Sequence, residues 1–240
     1  MNTAILLAAG SGTRMQEAVA DKLLAPLSGQ PVIAYSISAF IESGIFEKCI
    51  LVYRDEAQKA ALATAIGLLS KRIEIDWVQG GAERQDSVLK ALQAAAGSDY
   101  VFIHDGARPL ITPEALKALA RAVQQDQAAV LAHPVNDTIK RISDPARTSK
   151  IDLEDLDRSR LWAMETPQAF EYHSILKAYQ NVSAKQLEIT DDAAALATIG
   201  LPVSLVQNQQ PNPKITTPED LILAEHLLNL SKKSAPKEST

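Results

Sequence analysis

Several kinds of residue and segment are scarce in this chain, and each scarcity excludes a class of protein. A single cysteine, Cys49, excludes an intrachain disulfide and a zinc site built from four cysteines. The four histidines show no metal-ligand spacing. No apolar run approaches the roughly 18 residues that a membrane-spanning helix needs. Basic residues do not exceed acidic ones, and the net charge of -5 argues against a surface built to coat nucleic acid.

Targeting signals are also missing from the first residues. The segment MNTAILLAAGSG lacks the basic region and the long apolar stretch of a signal peptide, and no transit peptide is visible. We therefore expect a soluble protein of the cytoplasm, or of the plastid stroma if the source is a eukaryote. The length of 240 residues suits one large α/β domain or two small ones, with a core that needs no disulfide or metal.

Short apolar runs alternate with helical segments along most of the sequence. Strands are predicted at Thr3–Ala9, Lys48–Tyr53, Ile73–Val78, Tyr100–His104, Ala128–Ala132 and Val203–Val206, and regular structure of unassigned type at Trp162–Phe170. Helices are predicted at Pro31–Ser43, Ala57–Leu69, Arg84–Ala96, Pro113–Gln125, Tyr172–Gln180, Asp191–Ile199 and Pro218–Leu230. Repeated βα units of this kind predict a three-layer, Rossmann-like α/β fold with a mostly parallel central sheet.

Residues 135–161 interrupt this alternation. They are polar and charged, although TIKRI within them alternates as a strand does. We interpret the segment as a β-arm that protrudes from the domain and packs on a partner, with a linker as the alternative. The final residues, SKKSAPKEST, are predicted to form a disordered tail. The domain prediction is therefore one domain at residues 1–230, with the arm inserted, and a tail at residues 231–240.

The strongest local signal is the segment LLAAGSGTRM, where an apolar strand runs into a loop of small residues. Those residues are Ala8, Ala9, Gly10 and Gly12. Small side chains let the backbone approach a ligand, and successive N–H groups can bind an anion. Arg14 and Lys22 would bring two cations to the same place. Two dedicated nucleotide motifs fail here, since no G-x-x-x-x-G-K-[ST] is present and Met15 replaces the third glycine of G-x-G-x-x-G. A plain tight turn remains the alternative.

A second loop, GGAERQDS, follows the strand at Ile73–Val78 and opens a helix. Its position is the carboxyl end of a parallel strand, where open α/β sheets bind ligands. Gly81 permits close approach and Ser87 can hydrogen-bond a base or a phosphate. We interpret Glu83 and Asp86 as complements of the helix N-terminus.

A third loop, HDGARP, follows the strand at Tyr100–His104. Asp105 is placed to face a metal-bound triphosphate, and Arg108 supplies a planar donor fork suited to phosphate. The structural alternative is that Asp105 and Arg108 pair with each other, and His104 is predicted to be packed in the core. Taken together, the three loops predict a pocket for a nucleotide and suit nucleotidyl transfer, in which fixed cations stabilise developing negative charge.

Seven segments in one register carry a family resemblance across residues 3–230. They are LLAAGSGTRM, GGAERQDSV, HDGARP, PVNDTIKR, ETPQAF, ITDDAAAL and KITTPEDL. In this order they resemble the 2-C-methyl-D-erythritol 4-phosphate cytidylyltransferases. The resemblance implies an Mg²⁺-dependent enzyme of isoprenoid precursor synthesis. Such an enzyme transfers CMP from CTP to the polyol phosphate, gives 4-diphosphocytidyl-2-C-methyl-D-erythritol and releases pyrophosphate.

The resemblance also implies roles for individual residues. Arg14 and Lys22 would stabilise the transition state, and Arg158 and Lys214 would position the acceptor. The nucleotide would be bound by Ala8, Ala9, Gly10, Gly12, Gly81, Ala82 and Ser87. The acceptor would be bound by Asp105, Gly106, Arg108, Thr138, Thr166 and Thr190. Asp105 is also the candidate metal ligand, with most Mg²⁺ contacts expected from the CTP phosphates.

The same resemblance implies a homodimer, because Thr138 and Arg158 match arm residues that reach the other subunit's site. Three positions depart from the family pattern: Ala82 stands where aspartate is usual, and Asp21 and Leu7 stand where proline is usual. Ala82 puts a contact to the cytidine in doubt, and Asp21 could partly neutralise Lys22.

Three alternative functions remain. They are a ribitol-5-phosphate cytidylyltransferase, a non-catalytic nucleotide-binding module and, less favoured, a dinucleotide-binding dehydrogenase.

Overall fold

The computed structural model describes residues 1–10, 12, 21–146 and 149–234. Its strands are β1 (Asn2–Leu7), β2 (Pro26–Leu27), β3 (Gln30–Pro31), β4 (Lys48–Tyr53), β5 (Glu74–Gln79), β6 (Tyr100–Asp105), β7 (Ala128–Pro134), β8 (Lys140–Ile142), β9 (Leu153–Asp155), β10 (Trp162–Glu171) and β11 (Ser204–Gln207). Its helices are α1 (Val32–Ser43), α2 (Glu56–Ile66), α3 (Arg84–Ala94), α4 (Pro113–Asp126), α5 (Tyr172–Lys185), α6 (Asp192–Ala197) and α7 (Pro218–Ser234). Each predicted strand and helix thus has a counterpart.

A central sheet organises the described residues, with the strand order β11-β7-β10-β6-β1-β4-β5. Strand β10 runs antiparallel to both of its neighbours in this sheet. All other neighbouring strands of the sheet are parallel. The predicted mostly parallel α/β fold is therefore confirmed. Because β6, β1, β4 and β5 are adjacent and parallel, the loops that follow them meet at one edge of the sheet.

Alternate residues of each strand face opposite sides of the sheet, and each side has its own core. In β1, Ala4 and Leu6 belong to one apolar cluster, whereas Ile5 belongs to the other. Helices α1, α2, α4 and α7 contribute to the first cluster, and α3, α5 and α6 contribute to the second. This arrangement gives the three layers that the alternating pattern predicts. Cys49 is buried in the first cluster, which raises the pKa of its thiol to about 12 and leaves it an inert core residue.

Local sequence signals account for several helix ends. Pro31 precedes α1, and Gly44 ends it with a φ of 68°, a left-handed conformation that favours glycine. Thr112 caps α4, because its side chain accepts a hydrogen bond from the N–H of Ala115.

Some predicted bounds are wrong in ways that have physical reasons. Strand β1 ends at Leu7, so Ala8 and Ala9 belong to the following loop. Helix α2 ends at Ile66, because Gly67 turns the chain into a short 3-10 helix at Gly67–Lys71. Helix α7 continues to Ser234, into the segment predicted as a disordered tail, and residues 235–240 lie outside the described part.

The polar segment 135–161 contains a small antiparallel hairpin formed by β8 and β9. Lys140 pairs with Asp155, and Arg141 donates to both carboxylate oxygens of Glu154 at 3.0 Å. The hairpin is exposed on both strands and carries exposed apolar residues such as Leu153. The predicted β-arm is present, and its role in dimerisation stays a prediction. Within the described part of the chain, none of the helices combines the length and apolar character that a membrane crossing requires.

Candidate active site

A cavity of about 440 Å³ lies at the sheet edge where the loops after β1, β4, β5 and β6 meet. Nine residues predicted for the site line it: Ala8, Ala9, Gly10, Lys22, Gly81, Ala82, Ser87, Asp105 and Lys214. The cavity is also lined by Leu7, Leu23, Arg54, Glu83, Arg84 and Ala107. The three loops singled out from the sequence therefore share one pocket.

The wall formed by the first two loops is closely packed. A Cβ atom on Gly80 would lie 2.7 Å from the Cβ of Ala9 and 2.8 Å from the Oγ of Ser87, so only glycine fits there. The backbone N–H of Gly81 donates to the Ser87 hydroxyl at 3.0 Å. Glu83 and Asp86 form a capping box at the start of α3, which confirms the structural interpretation of these two acids. This wall presents backbone and small side chains to a ligand.

The opposite wall is charged and is organised around Asp105, which is 8% exposed. Lys214 Nζ lies 2.7 Å from Asp105 Oδ2, and Arg84 Nε lies 3.5 Å from Asp105 Oδ1. Arg108 Nε is farther away, at 4.0 Å, so the alternative of a simple Asp105–Arg108 brace is not the main contact. Burial by itself would raise the pKa of the Asp105 carboxyl, but the surrounding cations lower that pKa well below its usual range. Asp105 is therefore a carboxylate that holds two side chains in the cavity wall.

A buried network behind the cavity fixes the backbone at Asp105. The Thr166 hydroxyl accepts a hydrogen bond from the Asp105 N–H at 3.0 Å and lies 3.1 Å from His104 Nδ1. His104 Nε2 lies 3.1 Å from the Arg108 carbonyl oxygen, so a neutral ring that donates from Nε2 and accepts at Nδ1 satisfies every contact. Burial lowers the pKa of His104 to about 4. The expectation that His104 is a packed residue is confirmed.

This network gives an expected pH dependence of stability. An unfolded histidine has a pKa of about 6.5. Between that value and pH 4, the unfolded chain binds a proton at His104 that the folded chain does not. The free energy of unfolding should therefore fall as the pH falls through this range, by up to about 1.4 kcal/mol per pH unit. Urea unfolding from pH 7 to pH 4 measures it, with His104→Gln as the comparison. If both proteins showed the same slope, His104 would not be the titrating group.

Lys22 is held at the cavity by a long-range contact. Its Nζ donates to the carbonyl oxygen of Ile215 at 3.0 Å, and the Ile215 N–H donates to the Ala107 carbonyl at 2.8 Å. Lys22 and Lys214 therefore lie in the same pocket with the loop that follows β6. Gly12, with a φ of 61°, also packs near Lys22, since a Cβ there would lie 3.8 Å from Lys22 Cγ.

Five other predicted site residues lie behind the cavity or away from it. Gly106 packs under it, where a Cβ would lie 2.8 Å from Ile33 Cδ1, and Thr166 and Arg108 belong to the buried network. Thr138 and Thr190 are exposed, and neither lines the cavity in this single chain.

Two predicted catalytic residues remain to be placed, Arg158 and Arg14. Arg158 lines a second cavity of about 550 Å³ at the base of the arm, and its Nη1 donates to the Asn136 carbonyl oxygen at 2.7 Å. The structure does not bring Arg158 into the first cavity within one chain. Arg14 lies outside the described residues, so its predicted position has no structural counterpart to compare.

Sequence reasoning missed Arg84, Asp192 and Arg54. Arg84 donates to both carboxylate oxygens of Asp192 at 2.9 Å while its Nε faces Asp105. Arg84 and Asp192 are distant in the sequence, and only their places in GGAERQDS and ITDDAAAL hinted at the site. Arg54 directly follows β4. Looking for charged side chains just after each predicted strand would have found it.

The residues around the cavity do not form a ready metal site. Asp105 Oδ2 is already paired with Lys214, and two guanidinium groups lie near the same carboxylate. Among the described residues, no group of three or more histidine, cysteine, aspartate or glutamate side chains is arranged to hold a metal ion. The prediction of Asp105 as a metal ligand is thus not supported by its contacts, which are cationic.

Comparison with known proteins agrees with this geometry. A model of the 2-C-methyl-D-erythritol 4-phosphate cytidylyltransferase family matches residues 2–230. The chain belongs to this family. A cytidylyltransferase is a kind of nucleotidyltransferase, so the family of the chain agrees with the predicted class of enzyme.

Named relatives and solved structures cover almost the whole chain. A 2-C-methyl-D-erythritol 4-phosphate cytidylyltransferase of Synechococcus elongatus is 39% identical over 225 residues, covering 93% of this chain and 94% of the relative. One from Bacillus mycoides is 35% identical over 233 residues, covering 97% and 100%. The crystal structure of 4-diphosphocytidyl-2C-methyl-D-erythritol synthase from Anaerococcus prevotii aligns with a TM-score of 0.80 at 27% identity, covering 95% and 96%. The Thermus thermophilus cytidylyltransferase aligns with a TM-score of 0.74 at 26% identity, covering 95% and 100%.

Proposed function

We propose that this member of the family transfers the CMP group of CTP to 2-C-methyl-D-erythritol 4-phosphate. A phosphate oxygen of the acceptor attacks the α-phosphorus of CTP, the new P–O bond forms, and the bond to pyrophosphate breaks. The observation that carries the proposal is the cavity itself, in which a wall of small residues faces a wall where Asp105 orders Lys214 and Arg84. The first wall suits a nucleoside and the second suits phosphates.

The proposed roles follow from these positions. Lys22 and Arg14 stabilise charge on the transferred phosphorus and on the departing pyrophosphate, because fixed cations act where charge develops. Backbone groups near Gly81 and Ala82, which line the cavity, read the cytosine and reject a larger base by size. Lys214 positions the acceptor beside Asp105. Thr190 is proposed to contribute on the acceptor side.

The homodimer is part of the proposal. Arg158 and Thr138 lie on or beside an exposed arm, so in a single chain they do not reach the first cavity. A dimer in which each arm extends to the partner would bring an Arg158 guanidinium to the acceptor phosphate, a group that favours bidentate donors. We also propose the cytoplasm as the location of the enzyme.

Magnesium is proposed as the cofactor, bound chiefly by the phosphates of CTP. Mg²⁺ prefers oxygen ligands and often enters nucleotide sites on substrate phosphates with one or two carboxylates. The cationic surroundings of Asp105 do not suit a cage of protein ligands. In this proposal Asp105 orders Lys214 and Arg84, and the metal is held by the substrate.

A side-by-side assay of acceptors tests the function. Purified protein with CTP and Mg²⁺ is expected to release pyrophosphate with 2-C-methyl-D-erythritol 4-phosphate and much less with ribitol 5-phosphate. Phosphorus NMR of the mixture should show the new diphosphate linkage. Turnover with ribitol 5-phosphate alone would assign the chain to the other acceptor. CTP binding without turnover on either acceptor would support the non-catalytic alternative.

A further inference from the structure

The buried side chain of Gln58, on α2, joins the two ends of the loop between Ala8 and Asp21. Gln58 is 4% exposed. Its Nε2 donates to the Ala8 carbonyl oxygen at 2.9 Å and to Asp21 Oδ2 at 2.6 Å. Its Oε1 accepts a hydrogen bond from the Arg54 N–H at 2.7 Å. Both hydrogens and the carbonyl oxygen of the amide are therefore engaged, which fixes the orientation of the side chain.

Asp21 completes the connection from the other side. Its side chain is 7% exposed, and its Oδ1 accepts a hydrogen bond from the Leu23 N–H at 3.0 Å. Arg54 Nη1 lies 3.7 Å from Asp21 Oδ2 and 3.5 Å from the Gly10 carbonyl oxygen. The Asp21 carboxylate thus contacts Gln58, Leu23 and Arg54. These contacts do not support the expectation that Asp21 partly neutralises Lys22.

These bonds bear directly on Lys22, which lies between Asp21 and Leu23 in the chain. The Leu23 backbone is tied on both sides: its N–H to Asp21 and its carbonyl oxygen to the Ile33 N–H at 3.0 Å. The Lys22 side chain therefore starts from a backbone that is held on one side by the Gln58–Asp21 bond and on the other by the bonds of Leu23. We call Gln58 and Asp21 the loop clasp.

We propose that the loop clasp positions Lys22 for nucleotidyl transfer, so that Gln58 and Asp21 are positioning residues of the enzyme. The proposal rests on the proposed function, because it assigns the clasp to the same site. A misplacement of about 1 Å at a catalytic group can lower the rate about 100-fold. A smaller displacement of Lys22 should therefore lower the rate about tenfold.

The test compares Gln58→Leu with a matched control, Thr3→Val. Thr3 and Ser98 share a buried hydrogen bond of 2.7 Å at the opposite edge of the sheet, so the control also loses a buried hydrogen bond. Both variants are expected to melt at lower temperature. Only Gln58→Leu should lose kcat/KM for CTP, by about tenfold and mainly through kcat, because Lys22 acts on charge that develops in the transition state. Its affinity for pyrophosphate in calorimetry should fall as well, since Lys22 is proposed to hold the charge of that product.

A second arm of the experiment shows whether the clasp acts through Lys22. In a Lys22→Ala background, adding Gln58→Leu should lower kcat/KM by less than about twofold, because coupled residues are not additive. Asp21→Ala, measured alone and in the Lys22→Ala background, supplies the same comparison if Gln58→Leu does not fold.

The possible outcomes separate the two proposals. Unchanged kcat/KM in Gln58→Leu, or a full tenfold loss on top of Lys22→Ala, would overturn the loop clasp. No product from the wild-type protein would overturn the proposed function instead. In that event the pyrophosphate affinities of the same variants still decide the clasp, since equal affinity in wild type and Gln58→Leu would contradict it.

Discussion

Replacing Lys22 by alanine is expected to lower kcat by about 100- to 1,000-fold, the usual cost of removing one preorganised charge from a transition state. Lys22 lines the cavity, and its Nζ is held 3.0 Å from the Ile215 carbonyl oxygen. An ammonium fixed in this way costs no reorganisation when negative charge gathers on pyrophosphate. The loss should therefore appear mainly in kcat, measured by pyrophosphate release at saturating CTP.

Lys48→Ala is the matched control for this variant. Lys48 pairs with Asp76 at the amino end of β4, on the edge of the sheet away from the cavity. The control also removes a partly buried lysine ammonium that has a partner, here the Asp76 carboxylate, and it should retain kcat and KM. A Lys22→Ala enzyme that raised the KM for CTP with kcat unchanged would contradict the transition-state role, since uniform binding alters KM alone.

The layer architecture was predictable because it depends on local patterns. Short apolar runs followed by helical segments fix which residues enter the sheet, and parallel pairing follows from the crossover helices. The antiparallel strand β10 was harder, because it follows the polar arm and the repeating βα rhythm stops there. Strand ends were also less predictable, since Ala8 and Ala9 are apolar yet belong to the loop that lines the cavity.

The site was predictable where its residues sit directly at strand ends. Gly81 lies just after β5, and Asp105 is the last residue of β6. Because both strands belong to the parallel part of the sheet, these residues lie at the same edge. Gln58 and Asp192 act through partners far away in sequence. Nothing in the sequence around Gln58 marks it, and only the segment ITDDAAAL points to Asp192. Asp21 shows the difference most clearly. Beside Lys22 in the sequence it suggests neutralisation, but in the fold its carboxylate accepts a hydrogen bond from Gln58 on helix α2.

Removing the Asp192 carboxylate should have the largest effect on stability. Asp192 is fully buried, accepts two hydrogen bonds of 2.9 Å from Arg84, and accepts another from the Tyr179 hydroxyl. These partners tie together the starts of α3 and α6 and the middle of α5. Breaking a buried ion pair by deleting one partner costs about 3 kcal/mol or more, because the remaining charge is left without compensation. Asp192→Ala should therefore lower the free energy of unfolding by about 3 kcal/mol in urea titrations.

Asp76→Ala gives the matching surface measurement, since its pair with Lys48 is partly exposed and should contribute no more than about 1 kcal/mol. An equal loss of unfolding free energy in Asp192→Ala and Asp76→Ala would contradict the larger cost expected for the buried pair.

The double variant Arg84→Met/Asp192→Leu separates folding from function. Apolar residues in place of a buried pair need no partners, so much of the stability should return. Activity should not return, because Asp105 would have lost the guanidinium that lies 3.5 Å from its Oδ1.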